Sequence, residues 1–471
     1  MAHEPLQRTK IVCTLGPSTD DQHVLRRVVE AGVNVARINA AHGSPDEHAR
    51  RIRVARATAK SLGCPLSILI DLPGPKFRLG RLPQGSLQLQ KGQDILLAIG
   101  PVAEPQAIPV RFPQLERQVE VGEPVYLADG TVKLIVTRRE PRRIRARVAI
   151  GGTIRSGSGI NLPESDLSVK LPTPDDARWI AFARTHQVEW IGVSFVRTVE
   201  DLTRVRRAAG PGATAMLMAK IEKRQALNRL DEIISAADGV MVARGDLGVE
   251  TPLAEVPIVQ KRIIARANEH GKPVITATQM LESMVENSSP TRAEVTDVAN
   301  AVLDGSDALM LSAETAIGRH PVEAVQTLRS VIAATEGHYP FGAVMERLSR
   351  TTWSSMADAM SFVACRLSFD IQAKAIVAPL EDAATAFRIA RFRPQAPVLA
   401  LSRSSTLVRQ LNVVWDVYPL VVPPGAFRAI EAAKNWLLDK RLARRGDSII
   451  LVSTLTKDRG QVRDSLQVTQ L

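Results

Sequence analysis

Lys220, Glu222 and Asp246 are the residues of this chain whose types and spacing point most directly to chemistry. They fall within MAKIEKRQALNRLDEIISAADGVMVARGDLG, residues 218–248. The apolar run from Met216 to Ile221 predicts a strand buried on both faces. It closes on Lys220 and Glu222, which share one face because strand side chains alternate. A second apolar strand, Gly239 to Ala243, ends in Arg244, Gly245 and Asp246. An amphipathic helix over Gln225 to Ala237, with Leu227, Leu230, Ile233, Ile234 and Ala237 on one face, joins the two. Such a βαβ unit gathers its polar residues at one end. Two carboxylates there can hold a divalent cation that keeps part of its water shell, and an ammonium can face a phosphate beside it. A surface ion-pair network at strand ends is the alternative reading.

Other apolar runs end in the same way. Arg37 and Asn39 close Val33 to Asn39, Asp71 closes Leu66 to Asp71, and Ser194 lies in Glu189 to Phe195. Thr278 follows Pro273 to Ala277, while Ser312 and Glu314 close Ala308 to Ser312. Any one of these could be a strand-end cap. Their recurrence on nearly every strand predicts a shared site. There is no Walker A or GxGxxG sequence, so a nucleotide would be held by metal, arginines and backbone amides. Gly245 admits an anion close to backbone N–H groups at the start of a helix.

With Lys10 to Leu15 as the first, eight such strands alternate with helices over residues 1–77 and 163–337, the count for a closed (β/α)8 TIM barrel. Helices are expected over Asp175 to Thr185 and Pro321 to Glu336. Thr291 with Glu294, and Thr198 with Asp201, mark helix starts. Residues 78–162 carry short alternating segments and turns, which predict an inserted all-β lid over the pocket mouth. His338 to Gly342 reads as a linker. Residues 343–471 then predict a C-terminal open α/β domain, with strands at Ala373 to Ala378, Pro397 to Leu401, Tyr418 to Val422 and Ser448 to Val452, a helix at Phe427 to Ala443, and a final strand near Ser465 to Thr469.

The chain has 471 residues, enough for two or three domains, and 23% are charged, as in soluble enzymes. Its net charge of +12 would attract polyanions, but aromatic residues make up only 4%, too few to stack single-stranded nucleic acid. The arginines are spread over many helices, which favours a phosphate-rich pocket over a nucleic-acid partner. Cys13, Cys64 and Cys365 form no close pair, the pattern of a reducing compartment. No apolar run has the length of a membrane span, and MAHEPLQRTK lacks a signal core, so a cytoplasmic location away from the membrane is expected.

Taken in order, TKIVCTLGPS, VNVARINAAHG, DLPGPKFRLG, SGINLP, AKIEK, DGVMVARGDLGVE, GKPVITATQMLESM and PTRAEVTDVANAVLDGSDALMLSAET resemble the pyruvate kinase family, and the resemblance covers essentially the whole chain. It implies a barrel, a small β-barrel lid and a C-terminal α/β domain. It also implies phosphoryl transfer from phosphoenolpyruvate to ADP, giving pyruvate and ATP in glycolysis. By that similarity Glu222 and Asp246 would bind Mg²⁺ or Mn²⁺, and Lys220 would stabilise the phosphoryl group in flight. Arg37 would contact the phosphate. Ser194, Ala243, Arg244, Gly245, Asp246 and Thr278 fall at substrate-binding positions, with Thr278 and the amides around Gly245 on the carboxylate. Asn39, His42 and Arg78 fall at nucleotide positions, and Ser312 and Glu314 near the proton path to pyruvate. A homotetramer is implied.

Several residues depart from the family pattern. Relatives that need K⁺ ligate it with an asparagine, a serine, an aspartate and a threonine. Asn39 and Asp71 remain here, but the other two positions are Ala41 and Leu72. Lys76, in GPKFR, stands where GPEIR has glutamate and could supply the missing positive charge, so no K⁺ requirement is expected. Ser158 replaces a lid lysine, which would weaken nucleotide binding. Glu381 and Asp382, in a loop that binds sugar phosphate in many relatives, would repel one. Two other classes stay open: a barrel lyase forming a metal-bound enolate without nucleotide, and a non-catalytic paralogue that binds ligand or nucleic acid.

Overall fold

The structure is a computed structural model that describes residues 6–75, 77–100, 107–112, 115–165, 169–350, 353, 355–423, 426–457 and 461–471. Eight parallel strands close into a barrel: β1 (Lys10–Thr14), β2 (Val35–Asn39), β3 (Ser67–Asp71), β4 (Trp190–Val193), β5 (Met216–Ile221), β6 (Gly239–Ala243), β7 (Val274–Ala277) and β8 (Ala308–Leu311). Neighbours in sequence are neighbours in space, and β1 pairs with both β2 and β8. The strands read as continuous apolar runs because both faces are covered. Cys13, Ile38, Ile70 and Val242 face the surrounding helices, while Val12, Leu69, Met218, Met241 and Met310 fill the interior. With the interior packed, open space lies only at the ends, so a site must be built where the strands finish.

Between β3 and β4 the chain forms a two-stranded sheet and a six-stranded sheet. Bridges from Leu79 to Val110 and from Arg78 to Gly159 draw the edges of the larger sheet together. Its core is Leu97, Leu127, Leu134, Ile144 and their neighbours. The turn at its tip reaches the barrel: a Cβ on Gly130 would sit 3.5 Å from Val249.

The C-terminal sheet has four parallel strands, Val417–Val421, Val398–Ser402, Ile376–Pro379 and Ser448–Lys457, and an antiparallel fifth, Gln461–Gln470. It packs against the bottom of the barrel, where Trp190 Nε1 donates to the Gln410 carbonyl at 3.0 Å and Arg393 pairs with the buried Asp307 at 3.0 Å.

Several elements differ from their sequence expectations; the helix expected over Phe427 to Ala443, for one, is Ala426–Asp439. The expected helix over Gln225 to Ala237 is two helices, Arg224–Asn228 and Leu230–Ala236, broken at Arg229 where ψ is 29°. Phe341 and Gly342, expected in a linker, open a helix, Phe341–Ser349. Pro340 suits the position before its first turn, and Val344, Met345 and Leu348 bury its inner face. Finally, Ser448–Lys457 runs past Val452 because its outer half pairs only with Gln461–Gln470.

Candidate active site

The C-terminal ends of β2, β3 and β5 place three charged side chains in contact. Asp71 accepts Arg37 Nε at 2.9 Å and Nη2 at 2.6 Å on one oxygen, and its other oxygen lies 2.9 Å from Lys220 Nζ. Lys220 also meets Glu222 Oε1 at 2.7 Å and donates to Ser194 Oγ at 2.7 Å. Ser194 passes the network on by donating to the Leu72 carbonyl at 2.8 Å. The second oxygen of Glu222 accepts the Phe195 N–H at 2.8 Å. Alternation explains the juxtaposition: residues 220 and 222 face the same side, and the β2–β3 register sets Asn39 opposite Asp71.

These groups line one cavity of about 600 Å³ between the barrel mouth and the lid. Arg37, Asn39, His42, Asp71, Arg78, Ser194, Lys220, Glu222 and Asp246 all border it, as the sequence predicts for a shared site. The lid adds Asp129, Thr153 and Arg155, and the barrel adds Phe195. Those four were not singled out in the sequence. Only the position of Phe195, next to Ser194 at a strand end, signalled it.

On the barrel side the cavity holds three carboxylates, Asp71, Glu222 and Asp246, against two cations, Arg37 and Lys220. Burial pushes the Glu222 carboxyl up to about 7, and Asp246 adds to this while Lys220 opposes it. Burial would also discharge Lys220, yet Asp71, Glu222 and Asp246 together hold its ammonium above the ordinary lysine range. Asp71 stays below the usual carboxylate range, because Lys220 and Arg37 outweigh its burial. Lys220 answers to three carboxylates, whereas Glu222 meets one ammonium and a second negative charge. Both shifts therefore describe a site short of positive charge.

Among the described residues no three His, Cys, Asp or Glu side chains gather into a metal cage. Two carboxylates, one of them the cavity-exposed Asp246, fit a hard divalent ion that takes its other oxygens from water or a phosphate. They do not fit a closed structural site.

The ends of β6, β7 and β8 lie beside this cavity rather than on its wall. The Gly245 N–H donates to Thr278 Oγ1 at 2.8 Å, and Thr278, at φ 66°, donates in turn to the Ala277 carbonyl. Ala243 is buried at the end of β6. The Arg244 side chain departs from the expectation of substrate contact: its guanidinium turns away to Asp297, at 2.7 Å, and to the Thr278 carbonyl, at 2.6 Å. That arginine braces the β7 loop, so only its main chain is free to meet a ligand. Glu314 is fully buried and accepts the Leu281 and Ser312 N–H groups at 3.1 and 2.7 Å. The Ser312 hydroxyl is buried without a partner.

Of the residues that depart from the family pattern, Ala41 and Leu72 line the cavity and contribute no side-chain oxygen, and Asn39 Oδ1 accepts the Ala41 N–H at 3.1 Å. Lys76 lies outside the described residues. Ser158 also lines the cavity, with its hydroxyl accepting the Arg155 N–H at 3.0 Å. Asp382 accepts the Ala384 N–H at 2.9 Å, just before the helix Ala384–Ala390. No helix among the described residues is long and apolar enough to cross a membrane.

The chain is similar to known proteins over most of its length. Residues 6–325 match the family described as "Pyruvate kinase, barrel domain", and residues 358–469 match "Pyruvate kinase, alpha/beta domain". The pyruvate kinase of Thermotoga maritima is 38% identical over 452 residues, covering 95% of this chain and 96% of its own. Pyruvate kinase 2 of Synechocystis sp. is 40% identical over 462 residues, 96% of this chain and 78% of that one. The pyruvate kinase of Methylorubrum extorquens is 39% identical over 454 residues, 95% and 94% of the two chains.

Proposed function

The chain belongs to the pyruvate kinase family and acts as a pyruvate kinase, and we propose that it moves the phosphoryl group of phosphoenolpyruvate to ADP inside the cavity between barrel and lid. The observation that carries this reading is the contact of Lys220 with Asp71 and Glu222, beside Asp246, in a cavity with one more carboxylate than cations on its barrel side.

Each side chain has a part in the proposal. Glu222 and Asp246 would hold Mg²⁺ or Mn²⁺, which when bound offsets phosphate charge and aligns the oxygens for in-line transfer. Lys220, fixed from three sides, presents its ammonium to the phosphoryl group between donor and acceptor. Such a preorganised charge costs no rearrangement at the moment of reaction. Arg37, held by Asp71, faces the same phosphate. Thr278 can turn its hydroxyl from the Ala277 carbonyl to the substrate carboxylate while still accepting from Gly245. Asn39, His42 and Arg78 lie where the nucleotide enters, and the lid excludes water that would otherwise intercept the phosphoryl group. Ser312 and Glu314 would serve the proton that converts the enolate to pyruvate.

The donor set for a monovalent cation is incomplete: Asn39 and Asp71 are already bonded within the protein, and Ala41 and Leu72 offer nothing. A K⁺-independent enzyme follows, with Lys76 supplying the charge. A homotetramer is part of the same reading, as the family resemblance implies. Sedimentation equilibrium distinguishes it from a monomer.

The deciding experiment follows pyruvate formation with ADP and Mg²⁺ each omitted in turn. Loss of product in both cases is expected. Pyruvate and inorganic phosphate released without ADP would mean that the phosphoryl group goes to water instead.

A further inference from the structure

Lys223 follows the cluster directly in sequence but faces the opposite way, into the protein. It is 2% exposed, and its ammonium lies 2.6 Å from Glu250 Oε1 and 4.7 Å from the centre of the Phe195 ring. Glu250 is 3% exposed and its second oxygen has no hydrogen-bond partner. A buried pair of this kind gains little stability over an apolar pair of the same volume, so its place in the structure calls for another reason.

The connections of the pair supply one. Lys223 adjoins Glu222 at the end of β5. Glu250 ends the helix Arg244–Glu250, whose first turn carries Asp246. The ion pair therefore ties the strand bearing one metal-site carboxylate to the helix bearing the other. The ring under the ammonium belongs to Phe195, a non-glycine residue at φ 61°, whose N–H fixes Glu222 Oε2. That ring is wedged in place. A Cβ on Gly74, itself at φ 63°, would come within 2.9 Å of it, and Phe77 meets it edge-on at 6.3 Å. A single buried ammonium thus touches both the helix that sets Asp246 and the residue that orients Glu222.

We propose that Lys223 and Glu250 are positioning residues that fix the separation and orientation of Glu222 and Asp246 for the divalent metal. This rests on the reading of those two carboxylates as metal ligands. Neither Lys223 nor Glu250 touches substrate.

The test is Mn²⁺ binding to the purified full-length protein, read from the free-ion electron paramagnetic resonance signal, with Mg²⁺ half-saturation in the pyruvate assay beside it. The double variant Lys223→Met with Glu250→Leu replaces the pair by apolar side chains and nearly preserves local charge. It is expected to keep the wild-type melting temperature within a few degrees, yet to bind Mn²⁺ about tenfold more weakly, with ADP half-saturation within about twofold of wild type. Mn²⁺ affinity equal to wild type in the folded double variant overturns the proposal. If that variant does not fold, Glu250→Gln carries the test: at least a threefold loss is expected, and none overturns it. Glu222→Gln and Asp246→Asn separate the two levels. Weaker binding in these two alone leaves the metal reading standing without the positioning role, and unchanged binding in them removes both.

Discussion

Arg37 grips one oxygen of Asp71 through both Nε and Nη2, which leaves the other oxygen of Asp71 to Lys220. Asp71 is 1% exposed and is the common counter-ion of the two cations that face the cavity from the barrel. Removing it strands Arg37 and leaves Lys220 to Glu222. Asp71→Asn is therefore expected to destabilise the barrel by about 3–5 kcal/mol, the usual cost of breaking a buried ion pair on one side only. Urea unfolding monitored by tryptophan fluorescence measures this. A loss below about 1 kcal/mol would mean that solvent reaches the pair.

Lys220→Met keeps the stem of the side chain and removes only its charge. The substitution is expected to lower kcat by about 100-fold to 1,000-fold, as for a preorganised electrostatic contributor, with a smaller change in the half-saturation for phosphoenolpyruvate. Steady-state kinetics on protein of unchanged circular dichroism gives the comparison. A change confined to KM would assign Lys220 to ground-state binding.

Potassium provides a third test. With Asn39 and Asp71 bonded internally and Ala41 and Leu72 lacking oxygens, activity in buffer whose only monovalent cation is tetramethylammonium is expected to match that with 100 mM KCl within about twofold. Lys76→Glu is expected to introduce a K⁺ dependence. Strong activation of the wild type by K⁺ would refute the substitution of charge.

The barrel was legible in the sequence because its strands are buried on both faces and end in polar residues; the apolar runs and the endings are the same signal read twice. Lys220, Glu222, Asp71 and Arg37 were found in that way. The Lys223–Glu250 pair was not, since nothing in AKIEK tells an inward lysine from a solvated one, and its partner lies 27 residues away. The direction of the Arg244 side chain is illegible for a related reason: a strand-end arginine suits an anion, but here the guanidinium pairs with Asp297 and the Thr278 carbonyl. The break at Arg229 and the helix in the expected linker depend on packing, to which local periodicity is blind.

A last prediction concerns the joint between barrel and C-terminal sheet. Asp416 is fully buried, 2.6 Å from Arg8 Nη1, and burial pushes its carboxyl up to about 6 from 3.8 despite that arginine. A carboxyl with a folded pKa above its unfolded one binds its proton more tightly in the native state. Its contribution is therefore most favourable below about pH 4 and declines as pH rises through 6. A shift of this size amounts to at most about 3 kcal/mol. Asp416→Asn removes the titration while keeping an acceptor for Arg8. The melting temperature of wild type minus that of the variant is accordingly expected to be larger at pH 5 than at pH 7.5. A difference that instead grows with pH would mean that Arg8 holds Asp416 ionised and that the ion pair, rather than the buried carboxyl, governs the joint.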